Sequence, residues 1–361
     1  MRRRNFLIGG AGATVGVLAA PAIGHTQDTF SWRMTNAYPP QFPAYTVGPG
    51  SPDAFAERVE RMSDGRLRID HFAAGELIPA LEGFDAVASG TIEMNAANSY
   101  FWAGKVPAAQ IFSAVPFGLD HSGMTAWLYA GGGLDLWHEI YAPQGVIAFP
   151  LNDSGVQMTG WFRKPIESVD QFNGLKMRIP GLAGEVYSRL GVNVKLLPAG
   201  EIFPALERGV IDAAEFVGPF LDRRLGLHNA AKFYYTTGWH EPSTTGELLI
   251  NLSAWESLPE DLQEIVRAAA MATHLESIAH NNALNGEALR DLVENEGVTA
   301  QALPDDVVER LREETQAVVE ERVAQNEDFA RVLESYSTFR DTYWDWANVS
   351  QKPYNSSIVP G

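Results

Sequence analysis

The segment LKMRIPG, residues 175–181, decides how the chain is read. An apolar strand over 175–179 carries one arginine, Arg178, to its end, and Pro180-Gly181 then turns the chain into a helix over 182–190. A strand followed at once by a helix is half of a parallel crossover. The pattern continues downstream with a strand over 192–196, a helix over 202–208 and a strand over 211–217. In such α/β layers the C-terminal ends of strands open onto the ligand crevice. Arg178 and Glu215 stand at two of those ends.

Upstream the same rhythm is found. Alternation predicts a strand over 29–37, and Phe55, Val59 and Met62 recur at helical spacing over 52–62 before Gly65. A strand over 67–72, a helix over 79–88 and a strand over 91–97 complete a first set, and 124–141 reads as helical. Strands over 145–151 and 156–162 then open the second set. The two sets meet near Pro150 and predict two lobes, 28–149 and 150–240, with a ligand cleft between them. Near Glu241 the chain recrosses, so that 241–258, with a strand over 244–251, returns to the first lobe. A helix capped by Ser257 follows over 259–296; at ~1.5 Å per residue it is about 55 Å long, more than one small lobe is wide, and braces both. The C-terminal helical extension, 304–361, carries Leu311, Val318, Val319 and Val323 at near-helical spacing. It ends in Tyr336, Phe339, Tyr343, Trp344 and Trp346, which dock either on their own lobe or on a second copy.

Composition narrows the partner. The 361 residues are 45% hydrophobic and 20% charged, and 27 Lys+Arg against 45 Asp+Glu give −18, which disfavours nucleic acid and anionic membrane surfaces. Zero Cys excludes disulfides and thiolate chemistry. Arg2, Arg3 and Arg4 precede Asn5-Phe6-Leu7, an apolar Gly/Ala-rich run and then Pro21-Ala22, the layout of a twin-arginine-like export signal over 1–27. Removing it takes away three arginines and no acid, leaving an acidic periplasmic protein. No later segment is long and apolar enough to span a bilayer.

Four residues in and near these strands could carry chemistry. The guanidinium of Arg178 can pair bidentately with a ligand carboxylate, or be pinned to an acid of its own lobe. Glu215, followed by Phe216 and then Gly218-Pro219, can hold a cation beside an aromatic wall, or cap the next helix. Glu241, after Gly238-Trp239-His240, is an acid in the recrossing turn. Gln157 offers an amide oxygen to a hard cation and N–H groups to a carboxylate, or faces solvent from a strand. The eight His include no HExxH, there is no P-loop and no GxSxG, and Gly131-Gly132-Gly133 reads as a helix break. An exported hydrolase using Glu215 and Glu241 as a carboxylate pair is the enzyme reading; Arg178 and a cation would hold both acids ionised and leave no general acid.

Together the signal segment, LKMRIPG with Arg178, GVIDAAEFVGPF (209–220) with Glu215 and GWHEPS (238–243) with Glu241 resemble the solute-binding proteins of TRAP transporters. The likeness is to the branch that binds 2-oxo or 2-hydroxy monocarboxylates such as pyruvate or lactate with a metal ion. The resemblance implies a two-lobed α/β periplasmic-binding-protein fold with a cleft, a long bracing helix and a C-terminal helix, and a transport component rather than an enzyme. It implies that Arg178 takes the ligand carboxylate, that Gln157 contacts ligand and metal, that Glu215 and Glu241 bind the metal, and that Phe216 gives its carbonyl and its ring. Tyr100, in Asn98-Ser99-Tyr100, faces the cleft from the first lobe. The family usually has Trp at the position of Phe216, which leaves more room here and removes an indole N–H. All-oxygen ligands favour sodium, or alternatively calcium. Small and large permease subunits and a homodimer that exchanges the C-terminal helix are the implied partners. A metal-free binder of sugar acids is the alternative within the same class.

Overall fold

The computed structural model describes residues 28–236 and 238–358; the export signal read over 1–27 lies outside them. Two sheets organise two lobes. The first has the order β2-β1-β3-β10-β4, from β1 (Phe30–Asn36), β2 (Leu67–Phe72), β3 (Met94–Ala97), β4 (Val146–Asp153) and β10 (Thr245–Asn251). β1 runs parallel to β2 and β3, whereas β10 is antiparallel to β3 and β4 because it enters from the other lobe. The second sheet has the order β11-β9-β5-β8-β6-β7, from β5 (Gly160–Phe162), β6 (Lys176–Arg178), β7 (Asn193–Lys195), β8 (Ala213–Ala214), β9 (Phe233–Thr236) and β11 (Thr299–Ala302).

Helices cover the sheets. In the first lobe these are α1 (Pro52–Met62), α2 (Gly83–Ala88), α3 (Ala109–Ser113), α4 (His121–Ala130) and α5 (Gly133–Tyr141). α1 starts as its sequence dictates: Ser51 accepts the Ala54 N–H at 3.2 Å, Pro52 sits where its missing N–H costs nothing, and Phe55 and Val59 turn inward. In the second lobe α6 (Gly181–Arg189), α7 (Ala199–Glu207) and α8 (Pro219–Leu225) follow β6, β7 and β8. Then come α9 (Leu252–Ser257), the 35-residue α10 (Glu260–Glu294), α11 (Asp305–Gln325) and α12 (Glu327–Ala347). α10 packs on β4 and α1 of one lobe and on α8 of the other, so it braces both.

Several elements differ from the sequence reading. The helical stretch 124–141 is two helices, broken where Gly132 adopts φ +83°. β4 continues past Pro150 to Asp153 with all eight residues buried, so the chain leaves the first sheet later than expected. The strands read over 156–162 and 211–217 pair only at Gly160–Phe162 and Ala213–Ala214, the rest being crossing and cleft-edge chain. Ser257 caps nothing: it ends α9, its Oγ donating back to the Ala254 carbonyl at 2.6 Å, and α10 begins after Pro259 with Glu260 and Asp261 in its first turn. The last block splits at Asn326, whose side chain accepts the Phe329 N–H at 2.7 Å. α11 lies on α6, tied by Arg189–Glu314 (2.6 Å) and Arg322–Glu185 (2.7 Å). α12 returns to α3, α4 and α5, where Tyr336 is buried edge-on to Trp127 at 5.1 Å and accepts the Leu119 N–H at 2.6 Å. Val323 is exposed, contrary to its place in the apolar stripe, and Trp346 is 66% exposed.

Each lobe also buries an acid clamped by one indole and one phenol. In the first, Glu247 accepts from Trp102 Nε1 and from the Tyr141 hydroxyl (3.0 Å). In the second, Asp222 accepts from Trp161 Nε1 (2.8 Å), the Tyr234 hydroxyl (2.8 Å) and the Val217 N–H (3.0 Å). Burial pushes Glu247 up to about 7 and Asp222 up to about 6, against the pull of these donors.

Candidate functional site

Three parts of the chain meet between the lobes: the ends of β6 and β8, the outgoing crossing after β4, and the returning crossing before β10. The crossings are hydrogen-bonded to each other, Ser154 N–H to the Thr244 carbonyl (3.2 Å) and Gln157 N–H to the Glu241 carbonyl (3.2 Å). They run so close that a Cβ at Gly238 would overlap the Gln157 carbonyl, which only glycine avoids.

Arg178 is 3% exposed at the end of β6. Its Nε donates to the Leu197 carbonyl (3.2 Å), and its Nη1 donates both to the Glu215 carbonyl (2.7 Å) and to Glu215 Oε2 (3.0 Å). Its Nη2 makes no hydrogen bond among the described residues. Both readings of this arginine are therefore present at once, an ion pair to its own lobe and one edge of the fork left over. Glu215, fully buried beyond β8, does not cap α8 with its side chain. Its Oε1 has no hydrogen-bond partner and lies 3.6 Å from His240 Nε2.

Glu241 is buried on the returning crossing and accepts from the Thr244 hydroxyl. Thr244 Oγ1 in turn accepts from Gln157 Nε2 (2.9 Å), which also reaches Ser154 Oγ (3.2 Å). Gln157 thus faces inward rather than solvent, and its Oε1 is buried without a donor. Phe216 stacks edge-on to Phe42 (5.6 Å) and Tyr38 (6.4 Å), with the Arg178 guanidinium 5.9 Å from its ring centre. Tyr100, in a short turn after β3, is buried and packs across the lobe boundary on Gly181; together with Pro180, His240 and Glu241 they line a small cavity. All the residues singled out from the sequence, Tyr100, Gln157, Arg178, Glu215, Phe216 and Glu241, converge on this boundary.

The electrostatics are those of an incomplete site. Burial pushes Glu215 up to about 8 despite Arg178, and burial together with the neighbouring Glu215 pushes Glu241 up to about 8. Burial pushes His240 down to about 4, so it is a neutral ring at pH 7. Two carboxyls, a neutral imidazole and two unpartnered acceptor oxygens, Gln157 Oε1 and Glu215 Oε1, share a single positive charge, that of Arg178. Glu215, His240 and Glu241 present ligand atoms all within 4.8 Å of one another. The donor set fits a cation, and oxygen predominates in it.

Sequence reasoning left out Tyr38, whose hydroxyl donates to Asn98 and whose ring walls Phe216, and Thr244, which joins Glu241 to Gln157. Tyr38 follows the end of β1, so the strand-end rule that selected Arg178 would have found it.

Comparison with known proteins gives four concordant findings. The family described as bacterial extracellular solute-binding protein, family 7, matches residues 44–326. A monocarboxylate 2-oxoacid-binding periplasmic protein of Nostoc sp. is 44% identical over 325 residues, 90% of this chain and 88% of that protein. A TRAP transporter solute-binding protein of Bordetella bronchiseptica superposes with TM-score 0.89 at 35% identity over 92% of this chain and 97% of its own, and was found as a mixed-occupancy dimer with copurified calcium and picolinate in one active site. A TRAP periplasmic solute-binding protein of Pseudoalteromonas atlantica, with bound sodium and pyruvate, superposes with TM-score 0.88 at 38% identity, covering 91% and 99% of the two chains.

Proposed function

Since the chain belongs to family 7 of the bacterial extracellular solute-binding proteins, the binding components of TRAP transporters, we propose that it captures a small 2-oxo acid of the pyruvate kind together with a cation and delivers it to a membrane permease. The observation that carries this reading is the pair of buried glutamates beside a half-used arginine, with Gln157 Oε1 and Glu215 Oε1 unpartnered. A 2-oxo acid supplies what each needs. Its carboxylate takes the free edge of the Arg178 fork, and its carboxylate and 2-oxo oxygens complete the shell of a cation that Glu215, Glu241, the Gln157 amide oxygen and the Phe216 carbonyl would hold. The bound ion supplies the positive charge that lets both glutamates ionise in a dry site. Phe216 and Tyr100 exclude water and set the width of the pocket; a ring without an indole N–H at 216 makes this wall purely apolar.

The ion is sodium, with calcium the alternative, since relatives hold either. The export route is the twin-arginine-like segment over 1–27, leading to the periplasm, and the membrane partners are the small and large permease subunits. The protein is a homodimer joined through its C-terminal helices: α12 keeps Tyr336 inside but leaves Trp344 and Trp346 facing out, and the Bordetella relative is a dimer. Light scattering at micromolar concentration reads the mass directly, and a value near one chain refutes the dimer.

Cation linkage tests the central reading. Ion and ligand share oxygens, so each should raise the affinity for the other by the same factor. Pyruvate is titrated calorimetrically after exhaustive chelation in sodium-free buffer, then with sodium or calcium restored. A tightened Kd on restoration is expected; the same Kd in all three conditions refutes the cation and favours a metal-free sugar-acid binder.

A further inference from the structure

A second cluster of metal-ligating groups lies beside the crossings, where α4, the end of β4 and the middle of α10 converge. His121 begins α4, Asp153 ends β4, and His274 faces them from α10. His121 Nδ1 is 3.3 Å and His274 Nε2 is 3.6 Å from the same carboxylate oxygen, Asp153 Oδ2, and the three ligand atoms lie within 4.8 Å of one another. These separations are long for charge-assisted hydrogen bonds, which run at about 2.7–2.9 Å. Both ring nitrogens are buried atoms without a hydrogen-bond partner, and His274 as a whole is 3% exposed. In a tetrahedral shell with bonds of about 2.0–2.1 Å, neighbouring ligand atoms stand roughly 3.3–3.4 Å apart. The observed separations suit an ion between them better than protons.

We propose that His121, Asp153 and His274 form a second cation site, for a divalent transition ion of the zinc class. Two imidazoles and one carboxylate are the donor set that such ions prefer, whereas sodium and calcium seek all-oxygen shells. The carboxylate is held for the purpose. Asp153 Oδ1 accepts the Gly155 N–H (2.7 Å), and Oδ2 accepts the hydroxyls of Ser243 (2.8 Å) and Thr245 (3.3 Å), the outer bonds that orient a metal-binding carboxylate. The His121 side chain is 26% exposed, which gives an entry path and room for a water in the fourth position. The ion would tie α4 of the first lobe to the helix that spans both lobes.

The site is also adjacent to the cleft through side chains that alternate along the returning crossing. Ser243 and Thr245 turn toward Asp153, while Thr244 between them turns to Glu241 and Gln157. The returning crossing that leads into β10 therefore borders both sites.

Cobalt(II) is the probe, because tetrahedral coordination gives it intense visible absorption. The chelator-stripped protein is titrated in a Glu241→Gln background, so that the cleft cluster does not compete. One equivalent with a tetrahedral spectrum, displaced by zinc, is expected, and His121→Gln or His274→Gln should each weaken binding by at least about tenfold. Should His274→Gln fail to fold, His121→Gln, at the more exposed of the two positions, decides with folding checked by circular dichroism. Absence of the tetrahedral spectrum, or unchanged affinity in either folded histidine variant, overturns the proposal.

Discussion

Glu247 and Asp222, inside the lobes, and Glu215 and Glu241, between them, are all buried carboxyls with raised pKa values, yet they are partnered in opposite ways. Glu247 receives an indole N–H and a phenol O–H, and Asp222 receives the same pair plus a backbone N–H. Glu241 has one threonine hydroxyl, and Glu215 shares an arginine and leaves Oε1 without a donor. The pKa values alone do not separate the two kinds, since Glu247 is pushed up to about 7 and Glu241 to about 8. The donor census does. An acid satisfied by neutral groups that never leave holds the fold together, and an acid with open lone pairs in a dry site is kept for a partner that arrives.

The largest effect should come from Arg178→Ala, which deprives a desolvated ligand carboxylate of its charge-assisted partner. The expected cost is roughly 2–5 kcal/mol, on the order of 30-fold or more in Kd for pyruvate by isothermal titration. Arg178→Lys should recover little, because a point charge does not reproduce the fork. Wild-type affinity in Arg178→Ala would refute the site.

A sharper contrast compares Glu241→Gln with Asp222→Asn in ligand-free, chelated protein. Glu241 has a folded pKa of about 8 against 4.5 unfolded, so its contribution to stability is fully present below pH 4.5 and is lost as pH rises through 8. The wild type should therefore melt lower at pH 9 than at pH 6, and Glu241→Gln should remove Glu241's share of that loss, on the order of 2–3 kcal/mol, leaving the shares of Glu215 and Glu247, whose carboxyls burial also raises. Asp222→Asn points an amide N–H₂ at a set of donors and should lower stability by about 1–3 kcal/mol at either pH. Melting temperatures shifting the same way for both variants at pH 9 would break the distinction.

The smallest effect belongs to Tyr141→Phe, which removes one of the two donors to Glu247. A loss of about 1 kcal/mol, a few degrees in Tm, is expected with pyruvate affinity untouched. A change in ligand Kd would show that the interior acids are coupled to the cleft.

The legible parts of this molecule were those where chemistry coincides with an element boundary. Arg178 and Glu215 sit at strand ends next to Pro-Gly and Gly-Pro, so their place in the cleft followed from local pattern. Gln157 did not, because it lies on a crossing whose side-chain direction is fixed by the Glu241 carbonyl on another segment. β11 went unread because Thr299–Ala302 carries no apolar residue larger than Ala and is fixed as a strand by its pairing with β9 (Phe233–Thr236). The break at Asn326 was readable in hindsight, as an Asn followed by Glu327 and Asp328 is an N-terminal signal that a long apolar count overrides.

The two orphaned oxygens, Gln157 Oε1 and Glu215 Oε1, bear on traffic as well as affinity. A buried acceptor without a donor costs about 1–3 kcal/mol, a cost that water removes whenever the lobes part. Shutting without cargo should thus be confined to a few per cent of molecules or fewer. Spin labels on the two lobes would measure this, and a mostly shut empty protein would contradict it. The shut shape would then report occupancy: if the permease proposed above engages only that shape, empty carriers do not dock.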